Sequence, residues 1–179
     1  MRNALRVLAT AAAAACAVAP VFAQEGPGLG QPVSAADLAP WDISIQPDGT
    51  GLPPGSGNAA TGAQVYATHC VMCHGVGGAG QPNDRLVGGQ GTLAELAQIR
   101  TIGSFWPYAS TVFDYIRRAM PFLAPQSLSN DEVYAVTAYL LAENGVIEAG
   151  ATLDARTLAR VRMPNRDGFI MAYPERADR

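Results

Sequence analysis

The chain contains no lysine; all twelve of its fixed cations are arginines. Histidine is nearly as scarce, with only His69 and His74, and cysteine occurs three times, at 16, 70 and 73. A structural zinc site needs four ligands, normally drawn from two separated pairs. Here the ligating types crowd into residues 69–74, which excludes that reading. No run of β-branched residues long enough for a buried parallel strand flanks the cysteine pair, so it lacks the βαβ setting of a thiol-disulfide site. There is no apolar stretch suited to crossing a membrane. No internal repeat is visible, and no pair of side chains stands out as a general acid and base.

Acidic residues number 15. Residues 1–23 read as a secretory signal: Arg2 and Arg6 open it, Leu8 to Val18 is an Ala-rich apolar stretch, and Val21-Phe22-Ala23 ends in a small-x-Ala cleavage site. Cys16 lies among alanines, lacks the leucine that a lipidation site places before it, and is expected to leave with the signal. Loss of Arg2 and Arg6 makes the exported chain more acidic still. That balance argues against nucleic acid or anionic lipid as a partner.

What is present is Cys70-Val71-Met72-Cys73-His74. Two thiols three residues apart, with an imidazole directly after the second, form the attachment site of a c-type haem. On one helical turn Cys70 and Cys73 share a face and can each add to a porphyrin vinyl group. His74 then supplies the proximal nitrogen to iron. The expected cofactor is one covalently bound haem c, and export to the periplasm fits haem attachment outside the cytoplasm.

Punctuation divides the rest. Residues 24–57 are rich in Gly, Pro, Ser and Asp and read as an extended arm, with Trp41 to Ile45 alternating like one short strand. That strand is expected either to pack back on the domain or to dock on a partner. Residues 58–145 form the haem domain, and 146–179 a tail that wraps the domain or seats a partner. Within the domain a helix is expected from Asn58 into the cysteine motif, and a Gly-rich loop from Gly75 to Gly91. A short helix opens on the capping box Thr92 to Glu95, a third helix spans Ser110 to Ala119, and a last one opens on the capping box Ser129 to Glu132 and stops at Asn144-Gly145. The fold class is all-α, about four helices around one haem.

The sixth iron ligand is sought among the methionines. Met72 sits between the cysteines and is directed away from iron. Met120 ends the third helix before Pro121, where a loop can carry its sulfur to the distal face. Met163 also precedes a proline, but lies in the tail. Met120 is preferred and Met163 is the alternative. The second shell is expected to hold His74 through its other ring nitrogen, most simply by a backbone carbonyl in the following loop near Pro82. Trp106 and Tyr108 are candidates to cover the haem edge or bond a propionate. Arg85, Arg117 and Arg118 are candidates to neutralise propionates, with ordinary solvated arginine as the plainer alternative. Uncharged surface near Met72 to Gly75 is expected to be open to partners.

The order helix, Cys-x-x-Cys-His, loop, Met-Pro, terminal helix resembles class I cytochromes c. Several runs resemble more closely the haem subunit of bacterial sulfite and sulfane dehydrogenases, the SoxD and SorB type. They include Trp41-Asp42-Ile43, Asp84 to Gly89, Gly103-Ser104-Phe105-Trp106-Pro107-Tyr108, Phe113 to Pro121, and Arg162-Met163-Pro164-Asn165-Arg166-Asp167-Gly168-Phe169. The resemblance covers about residues 41–170, and it departs from members with two haem domains in having one haem motif. It implies an electron-transfer subunit rather than an enzyme, Met120 as distal ligand, a molybdenum-cofactor subunit oxidising sulfite or sulfane sulfur as electron donor, and a soluble cytochrome c as acceptor. Two other readings stand beside it: a free-standing periplasmic carrier serving an oxidase or another dehydrogenase, and a haem-based sensor that gives up Met120 for a small gas.

Overall fold

The protein is described here by a computed structural model covering residues 29–170 and 172–173. The expected signal segment 1–23, with Cys16, lies outside the described residues, as do Met171 and the end of the tail. Two compact units divide between Trp41 and Asp42. Among the described residues, the first holds one short helix, α1 (Ala35–Leu38), closed by a reciprocal cap. The backbone N–H of Asp37 donates to Ser34 Oγ at 3.2 Å, and that of Ser34 donates to the Asp37 carboxylate at 3.0 Å.

In the second unit the described elements run β1 (Ser56–Asn58), α2 (Ala59–His69), α3 (Val71–His74), α4 (Ala109–Ala119), α5 (Asn130–Glu143), β2 (Thr152–Asp154) and α6 (Ala155–Leu158). Helix α2 starts where Asn58 Oδ1 accepts the Thr61 N–H at 3.0 Å. Helix α5 starts on the expected capping box, Ser129 with Glu132, and Gly145 beyond its end takes the left-handed φ of 66°.

The core lies where α2 and α4 pack against α5. Val65, Tyr66, Val112, Phe113, Ile116, Val133, Tyr134, Leu140 and Leu141 are buried, and the Phe113 and Tyr134 rings meet at 4.4 Å. Each fully buried side chain of this size contributes roughly 1.5–3 kcal/mol before chain entropy is counted. Helix α5 is buried along nearly its whole length because it is covered from several sides: by α2, by α4 and by the small sheet.

That sheet is a correction to an all-helical reading. Strand β1 pairs antiparallel with β2, Gly57 opposite Leu153, so the tail is tied back to the start of the haem-motif helix. At three residues each, the strands are too short to show a period. The expected strand over Trp41 to Ile45 does not form. Its apolar end is satisfied by packing: Ile45 is buried, Arg117 Nη1 donates to the Ile43 carbonyl at 3.3 Å, and Ser110 Oγ donates to the Pro47 carbonyl at 2.8 Å. The helix expected at Thr92 is only a 3₁₀ turn, Thr92–Ala94. Thr92 Oγ1 is engaged by the loop instead of capping, donating to the Gly89 carbonyl at 2.8 Å and accepting the Ile99 N–H at 3.0 Å.

Candidate functional site

The cysteine motif folds as a turn of its own. Helix α2 ends at His69, Cys70 leaves helical geometry at φ −122°, and α3 restarts at Val71. The backbone N–H groups of Cys73 and His74 both donate to the Cys70 carbonyl, at 3.1 and 2.9 Å. The turn brings both thiols and the imidazole onto one short element. Neither cysteine is in a disulfide, and both are half-buried. Burial pushes the Cys70 thiol up to about 11, with Cys73 adding to the effect. A thiol-disulfide catalyst needs the opposite shift, toward thiolate.

His74 is held from behind. Its Nδ1 lies 2.8 Å from the Asp84 carbonyl oxygen. A carbonyl can only accept, so Nδ1 carries a proton, and in the neutral ring Nε2 keeps its lone pair. This is the tautomer that a metal requires, with the supporting carbonyl raising the basicity of the ligating nitrogen. The expected loop supplies the carbonyl, two residues beyond Pro82.

The loop is able to reach back because its glycines permit tight reversal. Gly75 sits at φ 73°, and a Cβ there would run into the Gly80 carbonyl. Around it the Gly80 N–H donates to the His74 carbonyl and the Asn83 N–H to the Cys73 carbonyl, both at 2.8 Å. Tyr66 Oη donates to the Gly75 carbonyl at 2.8 Å. Burial raises the Tyr66 phenol to about 12, so it remains a donor across the neutral range. The bond from Tyr66 to the loop has no sequence signal.

Met120 is the C-cap of α4, in extended conformation and half-buried, where the chain turns into Pro121. Met163 is 1% exposed within the core cluster, so its sulfur has neighbours on every side. Trp106 is half-buried and meets Tyr115 edge-on at 5.7 Å. Tyr108 stands at the N-terminus of α4 with the Arg166 guanidinium 4.1 Å over its ring. The candidate arginines all have partners within the chain. Arg85 Nε donates to the Ala79 carbonyl at 3.0 Å, Arg117 holds the arm as described, and Arg118 pairs with Asp114 one helical turn back. His69 is exposed, on the end of α2.

The donor set fits a covalent haem: two unpaired thiols, an imidazole with a fixed tautomer, and a thioether at a helix end. Among the described residues no group of three or more His, Cys, Asp or Glu is placed to hold a bare metal ion. No helix among them is long and apolar enough to cross a membrane.

Comparison with known proteins bears on this geometry. The family model described as "Cytochrome C oxidase, cbb3-type, subunit III" matches residues 57–140, from β1 through most of α5. No curated protein matches the chain. Among solved structures, the chain is similar to one in the crystal structure of the sulfane dehydrogenase SoxCD from Paracoccus pantotrophus. The two share 42% sequence identity at a TM-score of 0.78, over 84% of this chain and 74% of that one.

Proposed function

This chain belongs to the class I cytochromes c, in the family of haem subunits of bacterial sulfite and sulfane dehydrogenases, and we propose that it is the one-haem periplasmic subunit that takes electrons from a molybdenum-cofactor sulfur dehydrogenase and passes them to another cytochrome c. Its role is electron transfer and not catalysis, as the cytochrome c domain indicates. The observation that carries the rest is the single turn presenting free Cys70 and Cys73 beside a His74 whose Nδ1 is pinned at 2.8 Å to Asp84.

In this reading Cys70 and Cys73 form the two thioether bonds. His74 Nε2 and the Met120 sulfur would ligate the haem iron, and the thioether would favour the reduced metal. Covalent haem supplies a one-electron carrier. The residues around it set its surroundings: Asp84 fixes the imidazole, Tyr66 and Arg85 hold the Gly-rich loop, and Trp106 and Tyr108 flank the start of α4. Arg85 and Arg117 position backbone through the Ala79 and Ile43 carbonyls and Arg118 pairs with the Asp114 carboxylate, so any charge compensation by the three is secondary. Met72 and Val76, 87% and 83% exposed on either side of Cys73 and His74, give the uncharged surface through which electrons would leave.

Support for a sulfur-dehydrogenase partner comes from the likeness to a chain of the sulfane dehydrogenase SoxCD. Export rests on residues 1–23. The test has two parts. The mature chain, run on a denaturing gel, should stain for haem peroxidase activity and weigh one haem more than the polypeptide; a blank band at bare mass refutes the cofactor. Pull-down from the native host should recover a molybdopterin protein that reduces the haem on addition of sulfite or a sulfane donor. Recovery of the cytochrome alone, with no such reductant, favours the free-standing carrier.

A further inference from the structure

We propose that Asn144, some 70 residues from the haem motif in sequence, is a positioning residue for His74, acting through the loop that carries the Asp84 carbonyl. The inference rests on the haem reading above.

Asn144 closes helix α5 and is 7% exposed. Its sequence role is an ordinary helix stop, yet it uses its whole amide on other business. Nδ2 donates to the Leu140 carbonyl at 2.8 Å and to the Leu86 carbonyl at 3.1 Å. Oδ1 accepts the Gly88 N–H at 3.0 Å. Its backbone carbonyl accepts Gln90 Nε2 at 2.9 Å. One residue thus grips three positions of the loop, 86, 88 and 90, and ties them to the most buried helix. Gly103 lies flat against it, since a Cβ there would overlap the Asn144 side chain.

Asp84 lies two residues upstream of the first grip. Its own side chain is exposed, and the other bonds that locate it come mainly from within the haem-motif loop: Asn83 N–H to Cys73, Arg85 Nε to Ala79, and the Leu86 and Val87 N–H groups to Gly78. Those bonds shape the loop. Tyr66 Oη fixes its start at Gly75, the Ile102 N–H donates to the Leu86 carbonyl at 3.3 Å and Thr101 Oγ1 to the Gly88 carbonyl at 2.5 Å, while Asn144 ties positions 86, 88 and 90 to the end of α5. A buried hydrogen-bond hub of this kind costs its full desolvation when one member is removed, so loss of the amide loosens the loop on its α5 side. The nearest functional group downstream of that movement is the His74 Nδ1–H···O bond.

The experiment uses the haem-loaded ferrous protein, whose His74 Nδ1–H is read by NMR through its hydrogen-exchange rate. Haem content is confirmed first by absorption, so a chain without haem defeats the functional reading and not this one. In Asn144→Ala the exchange rate should rise at least tenfold. Gln90 is exposed, so Gln90→Ala, which removes one grip from the loop side, folds in any case and should raise the rate two- to threefold. Tyr134→Phe serves as the control. It removes the buried bond from Tyr134 Oη to the Pro53 carbonyl at 2.9 Å, near the opposite, N-terminal end of α5, and should leave the rate within a factor of two of wild type. An unchanged rate in Gln90→Ala, or in a folded Asn144→Ala, overturns the proposal. So does an equal rise in the control, which would mean that lost stability alone opens the bond.

Discussion

Gly62 of α2 lies so close to Ala135 of α5 that a Cβ added to it would overlap the Ala135 carbonyl. The two helices therefore cross backbone to backbone, and the crossing sets the angle at which the haem-motif helix leaves the core. Backbone cannot withdraw as a flexible side chain can. Gly62→Ala should destabilise the fold by about 3 kcal/mol, at the upper end of overpacking costs. Urea unfolding checks this, with Ala63→Gly on the half-buried neighbour as a helix-propensity control costing about 1 kcal/mol.

Met120 and Met163 separate by environment. Met120→Ala should abolish the methionine-to-iron charge-transfer band of the ferric protein and lower its potential, with little loss of global stability because the side chain is only half-buried. Met163→Ala should keep the band and cost about 2–5 kcal/mol, as a buried methionine does. A lost band in the second variant and a retained one in the first would reverse the ligand assignment.

Residues whose role is local were readable from the sequence, and those whose role is tertiary were not. Ser129 and Glu132 make the expected capping box because both partners lie within one turn. The carbonyl behind His74 falls in the expected loop because the chain must turn there in any case. Thr92 misled because its hydroxyl is claimed by Gly89 and Ile99, a competition no local pattern records. Trp41 to Ile45 alternates like a strand, but only Ile45 is buried, and the real strands carry no alternation long enough to see. Asn144 reads as a helix stop, and the three loop positions it grips are more than fifty residues away.

The acid limb of stability should carry the mark of Glu132. Its carboxyl is held below the usual glutamate value, first by the Ser129 hydroxyl and then by the Ser129 backbone N–H. A depressed folded value stabilises above the unfolded one, and that contribution is lost as pH falls through the folded value. Glu132→Gln should flatten this part of the pH–stability curve below about pH 4.5. Ser129→Ala should remove the cap itself, at about 0.5–2 kcal/mol at neutral pH. Thermal melts across pH 3–7 on the order of half-unit steps would resolve the two.

The tail between Arg162 and Phe169 clamps the segment leading into α4. Asn165 Nδ2 donates to the Phe105 carbonyl at 2.7 Å, the Phe169 ring meets that of Phe105 at 5.3 Å, and Arg166 covers Tyr108. Asn165→Ala leaves the Phe105 carbonyl without that donor and should cost about 1–2 kcal/mol. Arg166→Ala should cost about 0.5–1 kcal/mol, the value of an accessible cation–π contact. Because both residues grip the same short segment, their losses should not add. A double mutant less destabilised than the sum, measured by urea unfolding, would identify the clamp as one cooperative unit.

Met72 offers the sharpest separation of electron transfer from haem chemistry. It projects into solvent between the two cysteines, so a charge placed there meets water and adds little strain. Met72→Glu should leave haem content and stability unchanged, since an exposed substitution of this kind stays within about 0.5 kcal/mol. If this face meets the electron partner, the added charge must be desolvated in the encounter complex and should slow electron exchange at least tenfold, with an ionic-strength dependence different from that of the wild type. Stopped-flow reduction by the partner, repeated with a small neutral reductant, isolates the effect. Slowing with the partner alone places the contact at Met72, whereas equal rates for both proteins move the exit to another part of the haem edge.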